Sequence, residues 1–202
     1  MPHRLIEGLR RFNAEHFPQF KEHYEQLVNE GQKPTTLFIG CSDSRLVPSL
    51  LTDALPGELF VVRNVGSFVP PYESADGYHG TSAAIEFAVI VLEVTDIVVC
   101  GHSHCGAVAA LYAQPDAATP HITKWLQLGQ EAMLPGDVNP DLLRRTEQRV
   151  IALQIERLLT FPIVKERVDA GRISLHGWHY VIEEGRVYFL DIADGTFKPE
   201  PT

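Results

Sequence analysis

Two residues of the segment 101–106 could bind one metal ion together, His102 and Cys105. They follow an apolar run, residues 97–100, that is typical of a buried strand and stops at a glycine. An imidazole and a thiolate three residues apart, on a turn from strand to helix, can reach an ion from the same side. Small residues from Gly106 onward indicate where that helix begins.

A third potential ligand, Cys41, opens the segment Cys-Ser-Asp-Ser-Arg and also follows a strand-like run. Because parallel strands end at the same edge of a sheet, we expect Cys41, Asp43, His102 and Cys105 to converge. Two thiolates and one imidazole leave a fourth tetrahedral position for water or for Asp43, as in catalytic rather than structural zinc sites. A disulfide between Cys41 and Cys105 is the alternative.

Asp43 and Arg45 are two residues apart and lie on the same side of an extended segment. A guanidinium can hold a carboxylate by two hydrogen bonds and lower its pKa. Either Asp43 completes the metal coordination, or Arg45 draws it away and water takes the fourth position. The remaining interpretation is an ordinary ion pair in a loop.

The metal that suits this set is Zn²⁺, which lowers the pKa of bound water from 15.7 to about 7. His104 lies between two of the ligands, and we expect its side chain to point elsewhere. Cys100 falls inside the strand-like run and is expected to be a buried, inert thiol.

Strand and helix patterns alternate along the chain from Thr36 onward. Strands are predicted at residues 36–39, 59–62, 97–100, 173–178 and 187–192, and helices at 81–92, near 122–133 and at 141–161. The last two strands are joined by a hairpin at Glu183, Glu184 and Gly185. The predicted fold class is therefore α/β, with a central, mainly parallel β-sheet, an antiparallel edge strand and helices on both faces.

Residues 2–29 are predicted to be helical, with an interruption at Pro18 and a stop at Gly31. We expect one domain, 1–202, made of an N-terminal helical arm (1–31), a core (35–192) and a tail (193–202). The arm packs either on its own domain or on a partner subunit, and the sequence leaves both open.

The composition limits the partners. A net charge of −9 without a basic cluster argues against nucleic acid or an anionic membrane surface. The mixed charges of residues 1–11 lead us to expect no signal peptide, and no apolar stretch reaches the roughly 20 residues that a membrane span needs. We therefore expect a cytoplasmic protein with reduced thiols.

Three motifs together resemble those of β-class carbonic anhydrases: residues 41–45, Val62-Arg63-Asn64 and residues 101–106. The similarity extends from the helical arm to residues 176–178. The resemblance implies zinc held by Cys41, His102 and Cys105, with Asp43 and Arg45 gating the fourth position. It also implies that zinc-bound hydroxide converts carbon dioxide to bicarbonate and a proton, in a homodimer or larger homo-oligomer.

Within this family the chain is more similar to the plant-type branch. The resemblance assigns to the substrate pocket Gln32, Phe60, Val65, Phe87 and Gly106. Phe87 replaces a tyrosine of many plant-type members, so a pocket hydroxyl is missing. Phe38 stands where bicarbonate-inhibited bacterial members have tryptophan, which argues against that regulatory site.

Two other functions are compatible with these ligands. Family members with the same metal set hydrolyse carbonyl sulfide or carbon disulfide. An inactive, zinc-stabilised scaffold is a more distant alternative, because such a protein is expected to lack Asp43 or Arg45 or to have a fourth closing ligand, and this chain shows neither.

Overall fold

The computed structural model describes residues 3–73, 79–114 and 116–200. The chain divides into two compact units, Met1–Lys33 and Pro34–Thr202. The first contains the helical arm, and the second contains the predicted sheet.

The N-terminal unit is helical throughout its described length. Helix α1 (His3–Arg11) leads through a π-helical turn (Phe12–His16) into helix α2 (Phe17–Glu30). Pro18 lies in the first turn of α2, where its missing N–H costs nothing, so the expected interruption is a π-helical turn and not a break. Gly31 ends α2 with a positive φ of 79°, as predicted. Whether the arm packs on a partner subunit stays a prediction.

The second unit is built on a six-stranded sheet. Its strands are β1 (Thr36–Cys41), β2 (Leu59–Asn64), β3 (Asp96–His102), β4 (Ser174–Val181), β5 (Arg186–Leu190) and β6 (Phe197–Pro199), in the order β2-β1-β3-β4-β5-β6. Strands β2, β1, β3 and β4 are mutually parallel, and β5 and β6 are antiparallel to their neighbours. The predicted fold class is confirmed.

Strand β6 was not expected. It pairs with β5 from Tyr188↔Pro199 to Leu190↔Phe197, inside the segment 193–202 that the sequence predicts to be a tail. Three residues provide too short an alternation to indicate a strand. The hairpin strand β5 is therefore the penultimate strand, and β6 forms the edge.

Helices pack on both faces of the sheet, because successive side chains of each buried strand point to opposite faces. The helices are α3 (Pro48–Thr52), α4 (Gly80–Glu86), α5 (Gly106–Leu111), α6 (Pro120–Leu126), α7 (Pro140–Leu158) and α8 (Pro162–Asp169). A π-helical turn (Phe87–Val91) extends α4, and a 3₁₀ segment (Gln127–Ala132) extends α6. Leu37 and Ile39 of β1 pack with residues of α4, α7 and α8, whereas Phe38 between them packs with α3 on the other face.

Helix α7 lies unusually close to the sheet. It contacts β3 and β4, and a Cβ added at Gly101 would lie 2.8 Å from two side-chain carbons of Ile151. The sequence predicted this helix over 141–161, but it ends at Leu158, and the unpredicted helix α8 begins at Pro162. No helix in the described part of the chain is long and apolar enough to cross a membrane.

Asn139 caps the N-terminus of α7, since its Oδ1 accepts a hydrogen bond of 2.9 Å from the Leu142 N–H. We expect Asn139→Ala to lower the free energy of unfolding by about 1 kcal/mol, because that donor loses its partner. Asn139→Asp keeps an acceptor and serves as the control. Urea unfolding measures both; equal losses in the two variants would exclude the cap as the cause.

Candidate metal centre

The structure brings Cys41, His102 and Cys105 together. Cys41 ends β1, His102 ends β3, and Cys105 immediately precedes α5. Their ligand atoms all lie within 4.8 Å of one another, and at most 5% of each residue is exposed. The parallel register, with Gly40 beside Cys100, places the ends of the two strands at the same edge of the sheet.

The imidazole of His102 is oriented to bind a metal through Nε2. Its Nδ1 lies 2.9 Å from the carbonyl oxygen of Ser103, to which it donates, and this fixes the tautomer. Nε2 is buried and has no hydrogen-bond partner among the described residues. A buried nitrogen without a partner beside two sulfurs fits a metal ligand, because the ion would supply the missing interaction.

The three cysteines are free thiols, so the alternative of a Cys41–Cys105 disulfide does not hold in this structure. A hydrogen bond from Cys105 lowers the pKa of the Cys41 thiol, and the Gly66 N–H, 3.4 Å from its sulfur, acts in the same direction. The N–H groups of Ala107 and Val108 point at the Cys105 sulfur. The hydrogen bond to Cys41 and burial nevertheless raise the pKa of the Cys105 thiol, so without a cation the thiolate is favoured at Cys41. A bound divalent cation would favour the thiolate at both sulfurs.

Asp43 and Arg45 form the predicted pair beside the cluster. Arg45 donates from Nε to Oδ1 of Asp43 at 2.9 Å and from Nη2 to Oδ2 at 2.8 Å. These bonds hold the pKa of the Asp43 carboxyl well below its usual value. Asp43 Oδ2 lies 3.8 Å from Nε2 of His102, and Arg45 also donates to the carbonyl oxygen of His104 at 3.0 Å. The guanidinium therefore links the two ligand-bearing segments.

Gly66 is a position where only glycine fits. Its φ is +85°, and an added Cβ would lie 2.8 Å from the ring of Phe68 and 3.0 Å from Ala107. This conformation allows the Gly66 N–H to reach the Cys41 sulfur. The neighbouring Val65 is held through its carbonyl oxygen, which accepts a 2.7 Å hydrogen bond from Trp125 Nε1.

The residues predicted to line the substrate pocket do not lie together: two are beside the metal cluster, and two are far from it. Val65 adjoins Gly66, and Gly106 follows Cys105, so both lie beside the cluster. Phe60 and Phe87 stack on each other with ring centroids 5.6 Å apart. Phe60 pairs with Leu37, four positions before Cys41, and so lies about 13 Å away along the strand.

Within this chain Phe60 and Phe87 therefore lie away from the cluster, and their part in a substrate pocket stays a prediction. Both are stacked on each other towards the opposite end of β2, because Phe60 lies near its start and the cluster lies beside its end. Gln32 is exposed in the N-terminal unit, directly after α2, and its part in the pocket stays a prediction.

His104 and Cys100 have the structural roles expected of them. His104 is exposed with a positive φ of 57°, and its Nε2 lies 3.4 Å from Oε1 of Glu183. Cys100 is fully buried in the sheet, which raises the pKa of its thiol. Neither belongs to the three-residue cluster.

Several residues that support the site were not singled out from the sequence. Arg63, part of one motif, donates to the carbonyl oxygens of Cys41, Asp43 and Leu46. Ser103 donates from Oγ to Glu183 at 2.7 Å. Glu147 accepts a hydrogen bond from the Cys105 N–H. The sequence signal that could have indicated it is a carboxylate on the apolar side of the predicted helix, four residues from both Leu143 and Ile151.

Comparisons with known proteins agree with this geometry. Residues 36–187 match the family model described as carbonic anhydrase. A carbonic anhydrase of Synechocystis sp. is 41% identical over 199 residues, which cover 93% of this chain and 70% of that protein. The chain belongs to the carbonic anhydrase family.

The solved structures identify the class. The beta-carbonic anhydrase CcaA is 40% identical, with a TM-score of 0.89, and the match covers 97% of this chain and 98% of that one. A tetrameric beta-carbonic anhydrase from Sordaria macrospora is 27% identical, with a TM-score of 0.82 and coverage of 94% and 96%. The protein is thus a β-class member, as the motifs predicted.

Glu183 fixes Ser103 from the hairpin between β4 and β5. The hydrogen bond from Ser103 is the main cause that lowers the pKa of Glu183 from 4.5 to about 2. Because the folded-state pKa is lowered, this contribution to stability is present above pH 4.5 and is lost as the pH falls towards 2. Glu183→Gln should therefore be less stable than the parent protein at pH 7, and the difference should shrink in acid.

Urea midpoints of both proteins between pH 3 and pH 7 measure this effect. In a Ser103→Ala background, Glu183→Gln should lower the stability at pH 7 by less, since the main hydrogen-bond partner of Glu183 is already gone. A difference that does not depend on pH would contradict the assignment.

Proposed function

We propose that this protein is a zinc-dependent carbonic anhydrase that interconverts carbon dioxide and water with bicarbonate and a proton. The observation that carries the proposal is the buried Cys41–His102–Cys105 cluster, with a bare imidazole nitrogen, beside the Asp43–Arg45 pair. Membership in the carbonic anhydrase family over residues 36–187 supports it.

Cys41, His102 and Cys105 would hold the zinc ion. Two thiolates and one imidazole match its preferred donors, and three protein ligands are typical of catalytic rather than structural zinc. When bound, zinc supplies a water molecule with a pKa lowered to about 7 in favourable sites, and hence a nucleophile at neutral pH.

Asp43 would orient the reacting water. Its carboxylate stays ionised at neutral pH because Arg45 lowers its pKa, so Oδ2 can accept a hydrogen bond from that water. Arg45 engages both carboxylate oxygens, which keeps Asp43 out of the fourth ligand position. We therefore infer that the Asp43–Arg45 pair holds the site in its open, water-accepting arrangement.

Carbon dioxide carries no charge, so an apolar pocket beside the cluster suits it. Val65 and Gly106 supply part of that pocket from the same chain. We infer that Phe60 and Phe87 reach the site of a neighbouring subunit in a homo-oligomer. The accessibility of this aromatic pair supports the inference: Phe87 is 41% exposed, and Phe60, which stacks on it, is half-buried.

Stopped-flow hydration of carbon dioxide by the purified, zinc-loaded protein tests the proposal. We expect one zinc ion per chain, and in Cys41→Ser a loss of zinc and a fall in turnover of about 100-fold or more. Cys100→Ala is the matched cysteine control and should keep both zinc and activity.

Parent-protein turnover no faster than that of Cys41→Ser would refute the proposal. Carbonyl sulfide and carbon disulfide belong in the same assay. Faster turnover of either gas than of carbon dioxide would favour the hydrolase alternative.

Arg45→Ala should leave zinc bound but lower turnover by about 10–100-fold, because hydrogen bonds to charged groups are worth about 1.5–3 kcal/mol. Without the guanidinium, Asp43 is free to occupy the fourth ligand position. Arg145→Ala, which removes another arginine with a 2.9 Å bond from Nε to an aspartate, is the control. Full activity together with full zinc content in Arg45→Ala would leave the pair as an ordinary loop interaction.

A further inference from the structure

A buried carboxylate lies directly behind the metal cluster. Glu147 is 4% exposed and belongs to α7, whereas the cluster belongs to β1, β3 and the turn before α5. Carboxylates are almost never fully buried unless their oxygens are paired, since the loss of water costs several kcal/mol. The hydrogen-bond partners of the two Glu147 oxygens therefore indicate the role of this residue.

Each oxygen has a different partner. Oε1 accepts a hydrogen bond of 3.2 Å from the backbone N–H of Cys105. Oε2 lies 3.1 Å from Nε2 of His179, a fully buried histidine of β4. The imidazole donates from Nε2, and its Nδ1 has no hydrogen-bond partner among the described residues. Among the described residues, the hydrogen bond to Glu147 is thus the only one that the His179 side chain makes.

The bond to Cys105 acts on the geometry of a ligand. Cys105 caps α5 with extended backbone angles, φ −69° and ψ 117°, so its own N–H lies outside the helical hydrogen bonds. Glu147 is the acceptor for that N–H, and the bond fixes the peptide plane at Cys105. That plane, together with the φ of −69° at Cys105, sets the direction of the Cα–Cβ bond and so limits where Sγ can lie.

The carboxylate also contributes charge. A negative group next to a Cys₂His set favours the cluster when it holds a divalent cation. The same charge disfavours two thiolates without a cation. Position and charge therefore act in the same direction, towards tight retention of the metal.

We propose that Glu147, held by His179, is a positioning residue for Cys105 that raises the affinity of the cluster for a divalent metal ion. This inference rests on the proposed metal site but not on the reaction catalysed there. Glu147 is the only carboxylate of α7 that, among the described residues, hydrogen-bonds to the backbone of a metal-ligand residue, and the inference assigns a function to it.

Zinc affinity, measured by competition with a chromophoric chelator, tests the proposal on the full-length protein. Glu147→Leu should weaken zinc binding by about 10–100-fold, as expected for loss of an outer-shell partner. Glu147→Gln retains an amide oxygen for the Cys105 N–H but not the charge, so its zinc affinity should lie between those of Glu147→Leu and the parent protein. Thr146→Val removes a neighbouring, fully buried polar group whose Oγ1 bonds Tyr112 and Leu142, and it should bind zinc like the parent protein.

Cobalt substitution adds a readout that a general loss of stability does not change. In Co²⁺-loaded Glu147→Leu, the thiolate-to-metal charge-transfer bands should shift relative to the parent, Glu147→Gln and Thr146→Val proteins. If Glu147→Leu does not fold, His179→Leu takes its place. It leaves the carboxylate but removes its second donor, and it should lower zinc affinity at least threefold.

The outcomes separate this inference from the proposed function. The inference would be overturned if a folded Glu147→Leu protein kept the zinc affinity and cobalt spectrum of the parent. If Glu147→Leu does not fold, an unchanged zinc affinity and cobalt spectrum in His179→Leu would overturn it. A parent protein that binds no metal would overturn both. A protein that lacks carbon dioxide hydration but loses metal affinity in Glu147→Leu would refute the function and support the inference.

Discussion

The structure depends on one electrostatic constraint, the burial of two thiols and one imidazole with their ligand atoms within 4.8 Å of one another. Ionised sulfurs so close together repel, and an imidazole nitrogen without a partner is costly in a buried site. A shared divalent cation removes both penalties at once. The fold has to supply everything else, namely the positions of the three side chains and the donors around them.

Backbone groups supply much of that support. Gly66 donates to the Cys41 sulfur, and the carbonyl oxygen of Ser103 orients His102. Arg63 binds three carbonyl oxygens around the first ligand segment, and Arg45 joins that segment to the second at the carbonyl oxygen of His104. Backbone groups hold their positions without the side-chain entropy that flexible polar residues lose, which makes them suitable hydrogen-bond partners around a metal site.

The sequence predicted what local pattern and strand order control. Apolar runs indicated β1, β2 and β3, and parallel topology predicted that the two ligand segments meet. Contacts between distant segments have no such local signal: Ser103 and Glu183 are 80 residues apart, and Cys105 and Glu147 are 42 apart. The distance of Phe60 and Phe87 from the cluster of their own chain had no local signal either, since a motif indicates membership of a pocket but not which subunit's pocket a residue joins.

The close approach of α7 to β3 makes two positions evolutionarily interdependent. Gly101 and Ile151 share one volume, because any side chain at 101 would overlap the carbons of residue 151. Glu147 lies one helical turn before Ile151 on the same face of α7, so a helix displaced by a larger residue 101 would also carry the carboxylate away from Cys105. Epistasis should therefore extend from an apolar packing contact to the metal centre: a substitution at 101 is tolerated only with a smaller residue at 151.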